Sequence, residues 1–479
     1  SDDGIVSISE NNGDTWRNIT PSGMPEWGTV NAIELSAHDP GRAFIAVHRY
    51  REDDFRPYIF RTNDSGASWT RLTNGSNGIP ADHFVRVVRE DPDRKGLLYA
   101  GTEFGIYVSF DDGVNWRPMQ LNLPVTPITD MAVKRGDLVI STQGRSFWIL
   151  DDLSVLHQLT DEVTGGDFHL FDPREVVRWA DGSGGGPRSG SVGQNPPFGA
   201  IIHYKLPDGL DEKDADEVKL EILDADGEVL RSLSSKEPER RAPSPWRRFF
   251  PELSEPPLLD ARAGANRYVW NLALADAGLV DDAVLWGWPG GPMVPPGAYQ
   301  VRLTVGEWND TATFDVVQDP RTDVSQEAMV EQYELARAVW EELTRSHEAI
   351  SRIRDVRGQV QSVAKRADLE AITEKADAIA DSLTAIEEKL HQTKAESSQD
   401  ILNFPPQIDN QLLYLQGVVE STVGAPTESV KGRFEELRTQ LDGFVADLDA
   451  IIAGQLPELE RMLEEEDVSY VMAEGAVGW

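Results

Sequence analysis

The first 160 residues carry short apolar, β-branched runs of four to eight residues, separated by Asn, Asp, Gly and Pro. Runs of that length and composition predict β-strands joined by turns. TVNAIELS (29–36), AFIAVH (43–48), YIFRTN (58–63) and SWTRL (68–72) form one set of four. FVRVVRE (84–90), LLYAG (97–101), GIYVSF (105–110) and NWRPMQ (115–120) form a second, and ITDMAV (128–133), DLVIST (137–142), SFWILD (146–151) and SVLHQL (154–159) a third. Strands resume at AIIHYKL (200–206). EVKLEILDADGEVLRSL (217–233) reads as a hairpin turning at Asp226-Gly227, and RYVWNLA, YQVRLTV and ATFDVVQD complete an antiparallel sandwich.

Beyond VVQDPRT the period lengthens. Leu369, Ile372, Ala376, Ile379, Leu383, Ile386 and Leu390 step by three and four, as do Val430, Phe434, Leu437, Leu441, Phe444, Leu448 and Ile451. Such seams predict helices packed side by side. A long helix around 325–364, opened by a capping box from Asp323 to Gln326, and a shorter one around 408–423 make four, punctuated by Pro405-Pro406 and Pro426. The expected arrangement is an antiparallel four-helix bundle; the alternative is that a partner helix fills one seam.

Four strands in 40–50 residues is the size of one blade of a β-propeller. A second pattern recurs with the same spacing. SENNGDTW (9–16), TNDSGASW (62–69) and SFDDGVNW (109–116) share Ser/Thr-x-Asn/Asp-x-Gly-x-x-Trp. The glycine suits a turn that needs positive φ. Asn or Asp and the leading hydroxyl can bond turn amides, and the tryptophan offers a large apolar face to pack between blades. The residues in these roles are Ser9, Asn11, Gly13 and Trp16; Thr62, Asp64, Gly66 and Trp69; Ser109, Asp111, Gly113 and Trp116. The competing reading of Asp111 and Asp112, calcium binding or acid catalysis, lacks the alternating ligands and closing Glu of an EF-hand loop.

The motif resembles the Asp-box, or BNR repeat, of sialidase-like and sortilin-like propellers. LLYAGTEFGIYVSFDDGVNW and STQGRSFWILDDLSVL are similar to large bacterial sortilin-like proteins often labelled glycosyl hydrolases, and GQNPPFGAIIHY, GANRYVWNLA and PPGAYQVRLTVGE extend the resemblance. It implies a propeller, an immunoglobulin-like domain and a helical tail, in an exported protein: secreted, periplasmic or on the cell surface. The expected organisation is mainly β and then α. Residues 1–160 are three full blades and half of another; 161–199 are a linker and loop; 200–320 are an immunoglobulin-like β-sandwich; 321–479 are a helical bundle and tail. A partial Asp-box propeller exposes sheet edges, so an N-terminal propeller fragment or a partner chain is expected to complete it.

The net charge of −37, from 82 acidic against 45 basic residues, repels phosphate backbones and anionic lipid. Nucleic-acid binding is not expected, and no apolar run reaches the roughly 18–20 residues of a membrane span. The chain has no cysteine, which removes disulfides, thiolate metal sites and Cys nucleophiles. Its eight scattered histidines suggest no metal site, and no sequence fingerprint suggests a cofactor. The basic insert KEPERRAPSPWRRFF is expected to pack on a neighbouring acidic domain or to dock a partner, and the apolar tail VSYVMAEGAVGW to dock on another domain.

The turns between the second and third strands of each set bring Tyr50, Arg51, Glu52, Asp53, Asp54, Glu103, Gln143 and Arg145 to one rim. A carboxylate beside an arginine can grip a polar or sugar-like ligand by paired hydrogen bonds; the plainer alternative is that Glu103 and Arg145 bridge adjacent blades. Asp151-Asp152 read as turn residues. No spacing assigns the arginine triad, Tyr–Glu pair and acid Asp of a sialidase. The leading expectation is a protein- or peptide-binding scaffold component; the alternative is a glycoside hydrolase of sialidase-like propeller type, and a glycan ligand fits either.

Overall fold

A computed structural model describes residues 1–179, 193, 195–208, 217–236, 258–280 and 283–468. The basic insert, apart from Lys236, and the tail beyond Val468 lie outside the described residues, as does most of the Gly/Ser-rich part of the 161–199 loop. The chain is a mixed β and α protein with six sheets and six α-helices among the described residues. It divides into two compact units, Ser1–Gly165 and Gly166–Trp479.

In the first unit a two-stranded ribbon, β1 (Ser7–Ile8) and β2 (Arg17–Asn18), precedes three antiparallel meanders. The first is β3 (Thr29–Leu35), β4 (Ala43–Arg49), β5 (Asp54–Thr62) and β6 (Thr70–Arg71); the second is β7 (Val85–Glu90), β8 (Leu98–Thr102), β9 (Ile106–Ser109) and β10 (Arg117–Pro118). The third has three strands, β11 (Ile128–Lys134), β12 (Asp137–Thr142) and β13 (Phe147–Leu150). The expected fourth strand, SVLHQL, is instead helix α1 (Ser154–Gln158), followed by α2 (Asp161–Gly165). Asp152 turns the chain at φ +62° and its Oδ1 accepts from Ser154 N at 3.1 Å. Leu153 and Leu156 then face the core against Leu138 and Ile140.

The central strands of the first two meanders read as unbroken apolar runs because both of their faces are covered. Ile45 and Val47 of β4 pack with Val6, Tyr58 and Phe60, while Phe44 and Ala46 face Val85, Val88, Leu98 and Trp116 of the second meander. Likewise Leu98 and Ala100 face back to the first meander, and Leu97 and Tyr99 face forward to Ile128 and Met131. Period-2 alternation thus sorts residues between two cores.

Among its described residues the second unit contains two sheets. One orders β14 (His169–Leu170), β16 (Ala200–Leu206) and β19 (Gly264–Trp270); the other orders β15 (Val176–Arg178), β21 (Trp308–Gln318), β20 (Gly297–Val305), β17 (Val218–Leu223) and β18 (Val229–Ser234). Ala200, Ile202, Tyr204 and Leu206 share one core with Leu220, Ile222, Val301, Leu303 and Phe314. Strand β15 runs parallel to β21 with Arg178 opposite Gln318.

Helix α3 (Gln326–Ala367) is capped two residues later than expected. Ser325, not Asp323, is the N-cap, and its Oγ accepts from Ala328 N at 3.2 Å. Helices α4 (Glu370–Leu390) and α5 (Ile408–Val419) both run antiparallel to α3: Arg354 and Arg357 meet Glu387, and Gln332 meets Val419. Helix α6 (Glu428–Glu465) runs parallel to α3, since Arg345 pairs with Asp442 and Arg352 with Asp449. The expectation of a wholly antiparallel bundle therefore fails for the two longest helices. Placing α4 and α5 in succession along α3 lets two shorter helices cover one of 42 residues, about 63 Å long.

Candidate functional site

The three glycine turns have one geometry. Ser109 Oγ donates to Asp111 Oδ1 at 2.9 Å and accepts from Gly113 N at 2.9 Å, and Asp111 Oδ1 also accepts from Asn115 N at 2.8 Å. Thr62, Asp64, Gly66 and Ser68 repeat this at 2.8, 2.9 and 2.8 Å, and Ser9, Asn11, Gly13 and Thr15 at 3.0, 2.7 and 2.9 Å. The Asp or Asn oxygen is occupied by the turn itself. Asp112 lies against Arg42 and Arg61 of the preceding meander, and Arg42 also holds buried Glu90 at 2.9 Å.

The tryptophans also repeat. Trp69 Nε1 donates to Ile19 O at 2.6 Å, and Trp116 Nε1 to Leu72 O at 3.2 Å. Ile19 and Leu72 each lie three residues after the previous tryptophan, and Gly66 and Gly113 rest on those same two side chains. Trp116 is buried, Trp69 half-buried and Trp16 65% exposed. The shared turn thus sets sheet-to-sheet contact.

The rim is richer in rings than the sequence reading foresaw. Tyr50, Arg51 and Glu52 form a 3-10 turn, which Asp53 ends at φ +58°. Tyr50 stacks on Phe84 with centroids 4.8 Å apart and planes 18° apart. Arg86 lies over both rings, at 5.7 and 5.2 Å, and grips Glu103 through Nε at 2.8 Å and Nη2 at 2.7 Å. So Glu103 pairs with Arg86, not with Arg145. Phe55 and Phe104 are exposed beside this cluster, the latter 4.5 Å from the His83 ring.

A polar cleft adjoins, lined by Arg49, Glu52, Asp53, Asp54, Arg56 and Asp82. Asp54 accepts from Arg56 at 2.7 and 2.8 Å and from Tyr58 Oη at 2.7 Å. These bonds, Arg56 first, hold its carboxyl well below the usual range. Buried His48 is pushed down to about 4 by desolvation and then by Arg86 and Arg51, and its Nδ1 has no partner.

Gln143 and Arg145 stand apart. Both are exposed; Gln143 N donates to Pro127 O, Arg145 N to Thr142 Oγ1, and Arg145 O accepts from Trp148 Nε1. Phe84 and Arg86, which join Tyr50 to Glu103, were missed because they read as ordinary strand residues. The register of β7 against β8 shifts between Val85 and Val87, and this bulge presents Arg86.

Two further groupings involve titratable residues. Asp91, Asp93 and His157 lie close enough to hold a cation, but Asp91 already accepts from Tyr99 Oη, His157 Nε2 and the amides of Asp93 and Arg94. It fastens α1 to the second meander. The second grouping joins the first strands of three meanders: Arg89 binds Glu34 at 3.2 Å and Asp130 at 2.6 Å. Desolvation raises the Glu34 carboxyl despite Arg89.

No protein-family model and no curated protein matches the sequence. Solved structures with partial likeness include a GH74 xyloglucanase from Xanthomonas campestris, at 14% identity and TM-score 0.24 over 66% of this chain and 51% of that one. An ancestral GH74 enzyme shows 14% identity and TM-score 0.23 over 49% and 31%. The extracellular domain of a hybrid two-component system from B. thetaiotaomicron shows 10% identity and TM-score 0.24 over 66% and 35%. The chain spans about a third to a half of the length of these structures.

Proposed function

We propose that the first unit is part of an Asp-box β-propeller of a secreted, periplasmic or cell-surface protein, and that its rim binds a neutral glycan. The observation that carries this reading is the Tyr50–Phe84 stack beneath Arg86, with exposed Phe55 and Phe104 beside it. The exposed Phe55 and Phe104 rings suit the apolar faces of sugar rings, the stack on buried Phe84 holds that surface in place, and the Arg86–Glu103 pair supplies donors and acceptors for hydroxyls. The net charge of −37 disfavours an acidic polymer. An array of neutral and acidic oligosaccharides, followed by calorimetry, tests the reading. Neutral binding that is lost in Tyr50→Ala and Arg86→Ala supports it; binding that survives both, or binding of peptides alone, refutes it.

The unpaired faces of this unit suit a larger assembly. Trp16 is exposed with its Nε1 unbonded, and β13 is an edge strand with Phe147 and Ile149 74% and 58% exposed. Both faces fit further sheets of the same repeat, supplied by a propeller fragment or a partner chain.

A second reading, glycoside hydrolysis, is favoured by the Glu34–Arg89–Asp130 triad. The contact lengths place two carboxylates within about 8 Å, the separation used by glycosidase pairs, and the raised Glu34 carboxyl suits a general acid. Release of reducing ends from the bound glycan, abolished by Glu34→Gln and Asp130→Asn, is the expected result. Hydrolysis untouched by both changes removes these two residues from the chemistry, and no release of reducing ends leaves binding alone.

A further inference from the structure

The second unit contains a cleft of about 290 Å³ between strand β15, helix α3 and the loop after α5. Its walls include Arg178, Trp179, Gln332, Tyr333, Glu420 and Thr422. Arg178 is half-buried at the end of β15, where pairing with β21 fixes its backbone. Its Nη1 reaches only Met329 Sδ, at 3.6 Å, and its Nε is shielded from water and unbonded. Among the described residues no carboxylate lies within ion-pair distance of it. Desolvation pushes the guanidinium below the usual arginine range. A guanidinium has five donors in a planar fork, and withdrawing one from water without an acceptor is costly.

A second group in the same wall is also unmatched. Gln332 is 3% exposed. Its Nε2 donates to the carbonyls of Val419 and Thr422, which fixes the amide orientation and leaves Oε1 without a partner. A strong donor and a buried acceptor thus stand unfilled in one cleft between two aromatic side chains. Glu420, near Arg178, is already engaged by Met293 N at 3.0 Å and Gln416 Nε2 at 3.3 Å.

We propose that this cleft binds a small organic carboxylate whose body carries a hydrogen-bond donor, with the carboxylate on Arg178, the donor on Gln332 Oε1 and the body against Trp179 and Tyr333. A planar carboxylate matches the guanidinium fork in two parallel bonds. The donor is an ammonium or a hydroxyl; Glu420 favours the ammonium.

Calorimetric titration of the full chain with L-phenylalanine, D-glucuronate, benzoate, D-glucose and inorganic phosphate tests the proposal. Both carboxylates that carry a donor bind, benzoate binds more weakly, and glucose does not bind. Phenylalanine above glucuronate identifies the ammonium; the reverse order identifies the hydroxyl. Arg178→Gln weakens binding about tenfold or more, and its melting temperature without ligand is unchanged or raised, which shows that it folds. Gln332→Leu weakens phenylalanine and glucuronate but not benzoate. No binding of any carboxylate, binding of phosphate above every carboxylate, or unchanged binding by Arg178→Gln overturns the proposal.

Discussion

Alanine at Gly113 tests whether the glycine turn spaces the sheets. Gly113 sits at φ +84°, and a Cβ there would lie 2.7 Å from Leu72 Cδ1. Gly66, at φ +80°, would meet Ile19 Cδ1 at 2.5 Å, whereas Gly13, at φ +95°, has Trp16 Cζ2 as its nearest neighbour at 3.9 Å. A left-handed backbone with a Cβ costs about 1–2 kcal/mol, and all three positions share that cost. Forcing a methyl into a filled core adds about 1–3 kcal/mol, which falls on Gly66 and Gly113 alone. Gly113→Ala should therefore lose about 2–5 kcal/mol and Gly13→Ala about 1–2 kcal/mol. At about 2–4 °C per kcal/mol for a unit of this size, the gap between them is about 2–12 °C. Calorimetry and urea titration of the full chain measure it. Leu72→Ala, which opens space opposite Gly113, should cost about 2–5 kcal/mol alone. Combined with Gly113→Ala, the total should fall short of the sum by about 1–3 kcal/mol. Equal losses at Gly13 and Gly113, or strict additivity with Leu72→Ala, would refute the contact argument.

Trp116→Ala should cost about 3–5 kcal/mol, because the ring is buried between two meanders, while exposed Trp16→Ala should stay within about 0.5 kcal/mol; thermal unfolding separates them. His48, depressed to about 4, takes up a proton more readily unfolded than folded. Its contribution is complete above about pH 6.5 and is lost as pH falls towards 4, by up to about 3 kcal/mol; His48→Gln should flatten the stability slope in that window. In the second unit, Glu387 is 2% exposed and is held by Arg354 and Arg357 at 2.6 Å each. Glu387→Ala should cost about 3–5 kcal/mol, against at most about 1 kcal/mol for Asp442→Ala in its half-exposed pair with Arg345, as read by urea midpoints.

What the sequence could and could not convey follows from the range of the forces involved. The glycine turns close within five residues, so hydroxyl, carboxylate and glycine can be read from spacing alone. The rim cluster cannot: Tyr50 meets Arg86, which holds Glu103, only after two meanders pack and β7 bulges. SVLHQL places its apolar residues at Val155, Leu156 and Leu159, a spacing closer to a helical turn than to period 2, and distant partners anchor that turn. Leu156 must reach the core, and Arg94 donates to the carbonyls of Leu156 and His157 at the helix end.

The helical seams show a different limit. A run of apolar residues at steps of three and four identifies the face a helix buries, but reads the same in both directions along the axis. Direction can be read from the charge pairs. Arg345–Asp442 and Arg352–Asp449 are each separated by 97 residues, and a constant separation means that both chains advance together. Contacts between α3 and α4 instead close from 33 residues at Arg354–Glu387 to 27 at Arg357–Thr384, which marks opposed chains. Each exposed pair is weak, so charge does not hold α6 in place. The broken α4–α5 path returns the chain to the starting end of α3, where α6 begins with Lys431 beside Glu331. Connectivity fixes the parallel course, and the ion pairs are its imprint.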